Sequence, residues 1–181
     1  FSNLSRTNFN FILEEPNKLR VSRFIVFFCL LVTLPIKSQN YWATYQGGFN
    51  VDETIGITAD AQGNTYGTGY FSTSAEISGV NLSVEGLTDI FVTKTDPAGI
   101  TLWSVGFGGS QSDRGLGIAV DGDGNTVVCG FYSGTVNFGN GVSLTSESGS
   151  QDAFLLKLNP SGNPVCDRSG GSSGGSDRAN A

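Results

Sequence analysis

Asp121-Gly122-Asp123-Gly124-Asn125 sets three oxygen-bearing side chains at alternate positions, the way a chain begins to wrap a calcium ion. Asp121, Asp123 and Asn125 are therefore the candidate metal ligands, and calcium is the one cofactor this chemistry suggests. The pattern is incomplete. An EF-hand loop wants Gly at its sixth position, where Thr126 stands, and Glu at its twelfth, where Tyr132 stands. A plain hairpin turn uses the same residue types for another reason, since Gly, Asn and Asp tolerate left-handed backbone angles. Both readings stand at this point.

Gly171-Ser172-Ser173-Gly174-Gly175 fits the spacing of a nucleophile elbow. An elbow needs a strand before it, a helix after it and a histidine to take the hydroxyl proton. The chain contains no His, so Ser-His-Asp and Cys-His triads, a His general base and His-bearing zinc sites are all excluded within it. The tract reads as flexible Gly/Ser chain. Carboxylates are plentiful, yet no two are marked as a pair at the separation glycoside hydrolysis needs. No catalytic residue is assigned, and the chain is read as a non-enzyme.

Other residues recur. Trp42 and Trp103 could stack on a sugar ring or pack between repeated units. Asp52, Asp113 and Asp177 each stand just before a unit, where a carboxylate can cap backbone amides or present charge. Asp113 and its neighbour Arg114 are the candidate ligand-binding pair. Asp89 and Asp152 stand where they would fix the start of a strand.

These residues are positioned by an internal repeat. Residues 55–71 (IGITADAQGNTYGTGYF) align with residues 116–132 (LGIAVDGDGNTVVCGFY) at an offset of 61. The alignment pairs Trp42 with Trp103, Asp52 with Asp113, Asp60 with Asp121 and Asn64 with Asn125. Residues 89–99 (DIFVTKTDPAG) align with residues 152–162 (DAFLLKLNPSG) at an offset of 63, so the second copy carries two extra residues between. Stretches rich in Val, Ile, Thr, Phe and Tyr alternate with Gly, Asn, Asp and Pro clusters, and no helical period appears. Strands are expected near 55–60, 65–71, 89–95 and 101–107, then near 116–121, 126–132, 152–158 and 164–168. Small extra hairpins are expected near 75–85 and 136–145.

One four-stranded antiparallel sheet per ~60 residues, repeated, is the signature of a β-propeller blade. The run WSVGFGGSQSDRGLGIAVDGDGNTVVCGF, followed by DAFLLKLNPSG, resembles the seven-bladed β-propeller repeat family (SBBP repeat) of exported bacterial proteins. The resemblance covers about residues 42–181. It implies an all-β fold of about two four-stranded antiparallel blades with partial blades on either side, as a piece of a larger propeller. Cys166 stands where the next Trp of the pattern is expected.

The leader differs from the rest. All 26 Gly lie after residue 46, while the first 38 residues hold half of the ten basic residues. Lys18, Arg20 and Arg23 precede an apolar run, Phe24 to Leu34, broken by Pro35. That run is too short to span a membrane but suits the core of a secretory signal peptide. The expected organisation is a non-native or disordered leader at 1–17, a signal peptide at 18–38, the last strand of a partial blade at 39–54, blades at 55–114 and 115–168, and the Gly/Ser-rich start of a third blade at 169–181.

Beyond residue 38, five basic residues face fourteen acidic ones, a net charge of −9. Nucleic-acid binding needs a basic stripe and is excluded. Two cysteines outside the leader, Cys129 and Cys166, are too few for a disulfide scaffold. The expected protein is a secreted or cell-surface binding or structural module of adhesion type. Its partners would be an extracellular protein or glycan and the remaining blades, and its membrane contact would pass only through the signal peptide. A non-catalytic part of an extracellular enzyme, whose active site lies elsewhere, is the alternative, and a calcium-stabilised scaffold is a third reading.

Overall fold

Hairpins build this chain because its Asx residues fold each turn back on itself. In the computed structural model, which describes residues 46–48 and 50–180, Asp60 Oδ1 accepts the amides of Gln62 at 3.0 Å and Asn64 at 2.9 Å. Asp96, Asp121 and Asn159 each bond the amides two and four residues on in the same way. Side chains thus supply acceptors that a two-strand ladder leaves missing at its tip. The expectations for residues 1–38 and for Trp42 lie outside the described residues.

The described residues are all-β, and their sheets are antiparallel. Strands β1 (Gln46–Gly47), β2 (Glu53–Ala59), β3 (Thr65–Phe71), β4 (Ala75–Ile77), β5 (Val80–Leu82), β6 (Asp89–Thr95) and β7 (Thr101–Gly109) cover the first copy. The second has β8 (Arg114–Val120), β9 (Thr126–Ser133), β10 (Thr135–Gly139), β11 (Val142–Thr145), β12 (Gln151–Leu158) and β13 (Pro164–Gly170). A single 3-10 turn, Glu147–Gly149, is the only helical element among the described residues. No helix among them is long and apolar enough to cross a membrane.

Each copy forms a four-stranded meander, in the order β7-β6-β3-β2 and then β13-β12-β9-β8, consistent with propeller blades. The two expected hairpins are present as β4–β5 and β10–β11. They do not stay with their own sheets. β10 joins the outer strand of the preceding sheet, with Val136 opposite Gly109 and Asn137 opposite Gly108. β4 pairs with β1, Glu76 opposite Gly47 and Ile77 opposite Gln46, so the same contact recurs 61 residues earlier. Gly109 permits it, because a Cβ there would stand 1.9 Å from the Thr135 carbonyl oxygen.

The sheets stack face to face. Tyr66, Ile90, Val92 and Phe107 of the first pack with Val128, Phe154, Leu156 and Leu158 of the second in one buried cluster. Phe138, carried in by β10, fills the joint, its ring 5.7 Å from that of Phe107 and 5.5 Å from that of Phe154. Each such side chain contributes about 1.5–3 kcal/mol by leaving water, so the hairpin is part of the core. A smaller cluster of Phe71, Ala75, Ile77 and Phe91 lies on the opposite face of the first sheet.

Candidate functional site

One end of the stacked sheets gathers the sheet-to-sheet connections and the inserted hairpins. Asp113 stands there, fully buried. Its Oδ2 accepts the Gly109 amide at 2.8 Å and its Oδ1 the Ser133 amide at 3.1 Å. It therefore ties the end of the first sheet's outer strand to the end of β9. Asp52 makes the same pair of bonds 61 residues earlier, to the amides of Gly48 and Ser72. Asp177 accepts the Ser172 amide at 3.0 Å. Burial pushes the Asp113 carboxyl up to about 6, against the pull of the Ser133 and Gly109 amides and with the help of nearby Asp89.

Arg114, next in the chain, does not pair with Asp113. Its guanidinium lies over the Tyr70 ring at 4.0 Å, and Tyr70 in turn donates its hydroxyl to Glu53. Arg178 repeats the stack over Phe131 at 4.8 Å. Backbone contacts repeat with it: the Asp113 amide donates to Thr88 O at 2.8 Å and the Asp177 amide to Gln151 O at 2.7 Å. Residues 176–179 thus lie on the second sheet as 112–115 lie on the first.

Beside this clamp is a cleft of about 230 Å³, lined by Ser83, Glu85, Asp89, Gly108 and Asn137 among others. Asp89 is 2% exposed; its Oδ2 accepts the Glu85 amide at 2.8 Å, whereas Oδ1 has no partner. Burial raises this carboxyl to about 6, the Glu85 amide opposes the shift and the Glu85 charge adds to it. Asp152, its counterpart, has both oxygens engaged, by the Glu147 amide at 3.3 Å and the Ser150 hydroxyl at 2.7 Å. Sequence reasoning places Asp89 at the start of a strand, but it misses the cleft. Glu85 and Asn137 meet there only because β10 crosses to the first sheet.

The opposite end holds the remaining candidates. Asp121 and Asn125 come together, the Asn125 side chain donating to both Asp121 oxygens at 3.1 and 2.9 Å. Lys157 adds an ion pair to Asp121 at 3.2 Å. Those bonds, the Asn125 side chain foremost, hold the Asp121 carboxyl down at about 2. Asp123 joins this set through its backbone amide alone. A cation between these residues would compete with Lys157 for Asp121. In the first copy, Asn64 and the Tyr66 hydroxyl bond Asp60 at 2.7 and 3.0 Å.

Trp103 leans across the joint at this same end. Its indole N–H donates to Pro160 O at 3.0 Å, and its ring meets Tyr66 edge-on at 6.3 Å. Cys166, at the corresponding place in the second sheet, is exposed.

No family model matches the chain. Over 125 residues it is 31% identical to an uncharacterized WD repeat-containing protein of Acanthamoeba polyphaga mimivirus. That alignment covers 62% of this chain and 9% of the viral protein, so the chain spans less than a tenth of the relative's length. WD repeats belong to the propeller-type architectures, and the chain thus has weak homology to a repeat protein of that kind.

Proposed function

We propose that this chain is a propeller segment of SBBP type that acts as a secreted or cell-surface binding module. The observation that carries the reading is a contrast at the junction end. The frame repeats there residue for residue, with Asp52 and Asp113 clamping equivalent amides. The insertions rising from it differ, ISGVNLSVEGLT at 77–88 against FGNGVSLTSESGSQ at 138–151. A constant scaffold that carries variable loops is the arrangement by which binding surfaces are built on rigid folds. Relatedness to a WD repeat-containing protein supports the propeller part of the reading.

The recognised partner is an extracellular protein or glycan, met by the loops at 83–87, 110–112 and 146–150. Other blades are partners of a second kind. Val127, Cys129 and Leu155 line an apolar cleft of about 290 Å³ on the far face of the second sheet, and Leu155 is 48% exposed. A third sheet stacked there would cover it as the second sheet covers the first.

The test is binding of the purified full chain to an immobilised glycan panel and to extracellular-matrix proteins. Replacing loop residues Ser83, Glu85 and Leu87 together is expected to abolish binding to the selected partner without lowering the Tm measured in chelator. Full binding by that variant, or turnover by the chain itself, would refute the reading. Export is tested separately by fusing residues 1–38 to a reporter and measuring its release from the cell.

A further inference from the structure

The two copies differ at one oxygen. Asp89 and Asp152 occupy equivalent places, and each accepts an amide from the preceding turn on Oδ2. Ser150 then fills Asp152 Oδ1 with its hydroxyl at 2.7 Å. Residue 87 stands at the place of Ser150 and is Leu, 68% exposed, which has no donor to offer. The Asp89 oxygen is left without a hydrogen bond although its residue is 98% buried. Leaving a buried carboxylate oxygen unmatched is costly, so something else is expected to meet it.

The surroundings define what that is. Asp89 lines the cleft of about 230 Å³ together with Glu85, Ser83 and Asn137, and no lining residue is basic. Every side-chain donor there is oxygen or the amide of Asn137, with no thiol or imidazole. Hard divalent cations take such ligands and complete their shells with water, which the open cleft admits. The cleft also straddles the joint, since Asn137 comes from β10 of the second copy and Asp89 from β6 of the first. We propose that this cleft is a calcium-type site, with Asp89 Oδ1 as the principal ligand and with Glu85 and Asn137, whose Oδ1 also accepts the Gly139 amide at 2.8 Å, as supporting oxygens, linking the second copy's hairpin to the first sheet. It is separate from the Asp121 turn, which lies at the opposite end.

The experiment is calorimetric titration of calcium chloride into the full chain freed of divalent ions, paired with thermal melts in calcium or chelator at matched ionic strength. The expected result is one site with Kd on the order of 10⁻⁴–10⁻³ M, the range of extracellular calcium modules. Tm should rise by roughly 5–11 °C at a hundredfold excess over Kd. Asp89→Asn should weaken binding at least about tenfold. Leu87→Ser keeps the carboxylate but supplies the hydroxyl that Ser150 gives its partner, and it should weaken binding too. Because Leu87 is exposed, this variant tests the oxygen without threatening the fold. Asp121→Asn should bind as the parent does. No binding heat and no Tm shift in the parent would overturn the proposal. So would binding that survives both Asp89→Asn and Leu87→Ser, or that disappears in Asp121→Asn.

Discussion

Asp113 and Ser133 are joined by a carboxylate-to-amide bond of 3.1 Å that closes the second copy's first hairpin, while the other oxygen of Asp113 holds Gly109 of the preceding sheet at 2.8 Å. One side chain thereby fixes both a strand end and the junction between sheets. Asp113→Ala would leave two buried amides without acceptors, at about 1–3 kcal/mol each. A loss near 3 kcal/mol in urea unfolding at pH 7 is expected. Asp113→Asn keeps one acceptor and should cost about half as much. Equal stability of the alanine variant and the parent would show that water replaces the clamp.

The same carboxylate sets a pH dependence of unusual sign. Its value is raised from 3.8 to about 6 in the folded chain, as is that of Asp89. Between about pH 4 and 6 the folded state therefore binds more protons than the unfolded one. The stability these groups contribute is greatest below pH 4 and declines as pH rises through 6, by roughly 3 kcal/mol for each at most. Asp121, held down at about 2, acts oppositely: its contribution is present above pH 4 and fades as pH falls toward 2. Urea midpoints should thus peak between about pH 3 and 4 and drop toward pH 7. Asp113→Asn should remove part of that drop, and an unchanged slope in this variant would contradict the assignment.

At the other end, Trp103 and Gly162 make a prediction that a neighbouring turn controls. Gly162 and Gly124 share a φ of +80°, which a side chain adopts only under strain. A Cβ at Gly162 would also meet the Trp103 ring at 2.9 Å, whereas at Gly124 the nearest atom is Pro160 Cγ at 3.7 Å. Gly124→Ala should cost about 1 kcal/mol and Gly162→Ala about 2–3 kcal/mol. In a Trp103→Ala background the two costs should converge, which a double-mutant cycle measures.

Much of this fold was legible in the sequence. The repeat offset, the alternation of β-formers with Gly/Asn/Asp clusters and the paired Asp positions are local features, and they located the strands of both meanders to within a few residues. β13 runs Pro164–Gly170, two residues beyond its expected end, because it continues to pair with β12 as far as Ala153. Partner choice was not legible. That β10 leaves its own sheet for β7 depends on a contact between residues 27 apart, such as Val136 and Gly109, which no short-range period encodes. The recurring Gly-Gly pairs at 47–48 and 108–109 were its only trace, since they mark where another backbone must approach. The candidate cleft failed to show for the same reason, as Asn137 reaches it only through that pairing. The one local sign, Leu87 in the place of Ser150, acquires meaning only when the Asp89 oxygen is seen to lack a donor.

The hairpin crossing offers the sharpest test of the architecture. Gly109 lies under β10, and any Cβ there would press on the Thr135 carbonyl at 1.9 Å. That is backbone, which cannot swing aside, so Gly109→Ala must separate β10 from β7. Phe138 would then lose its place between Phe107 and Phe154, and the aromatic joint would open along with the ladder. A loss of about 2–4 kcal/mol is expected, and it should be local in origin. Amide exchange should quicken in β10 and β11 while the β9–β12 ladder, with eight consecutive pairs from Gln151 to Leu158, stays protected. If protection fell evenly through both sheets, the hairpin would be an inseparable part of one cooperative unit, and its role as an added link between two meanders would have to be abandoned.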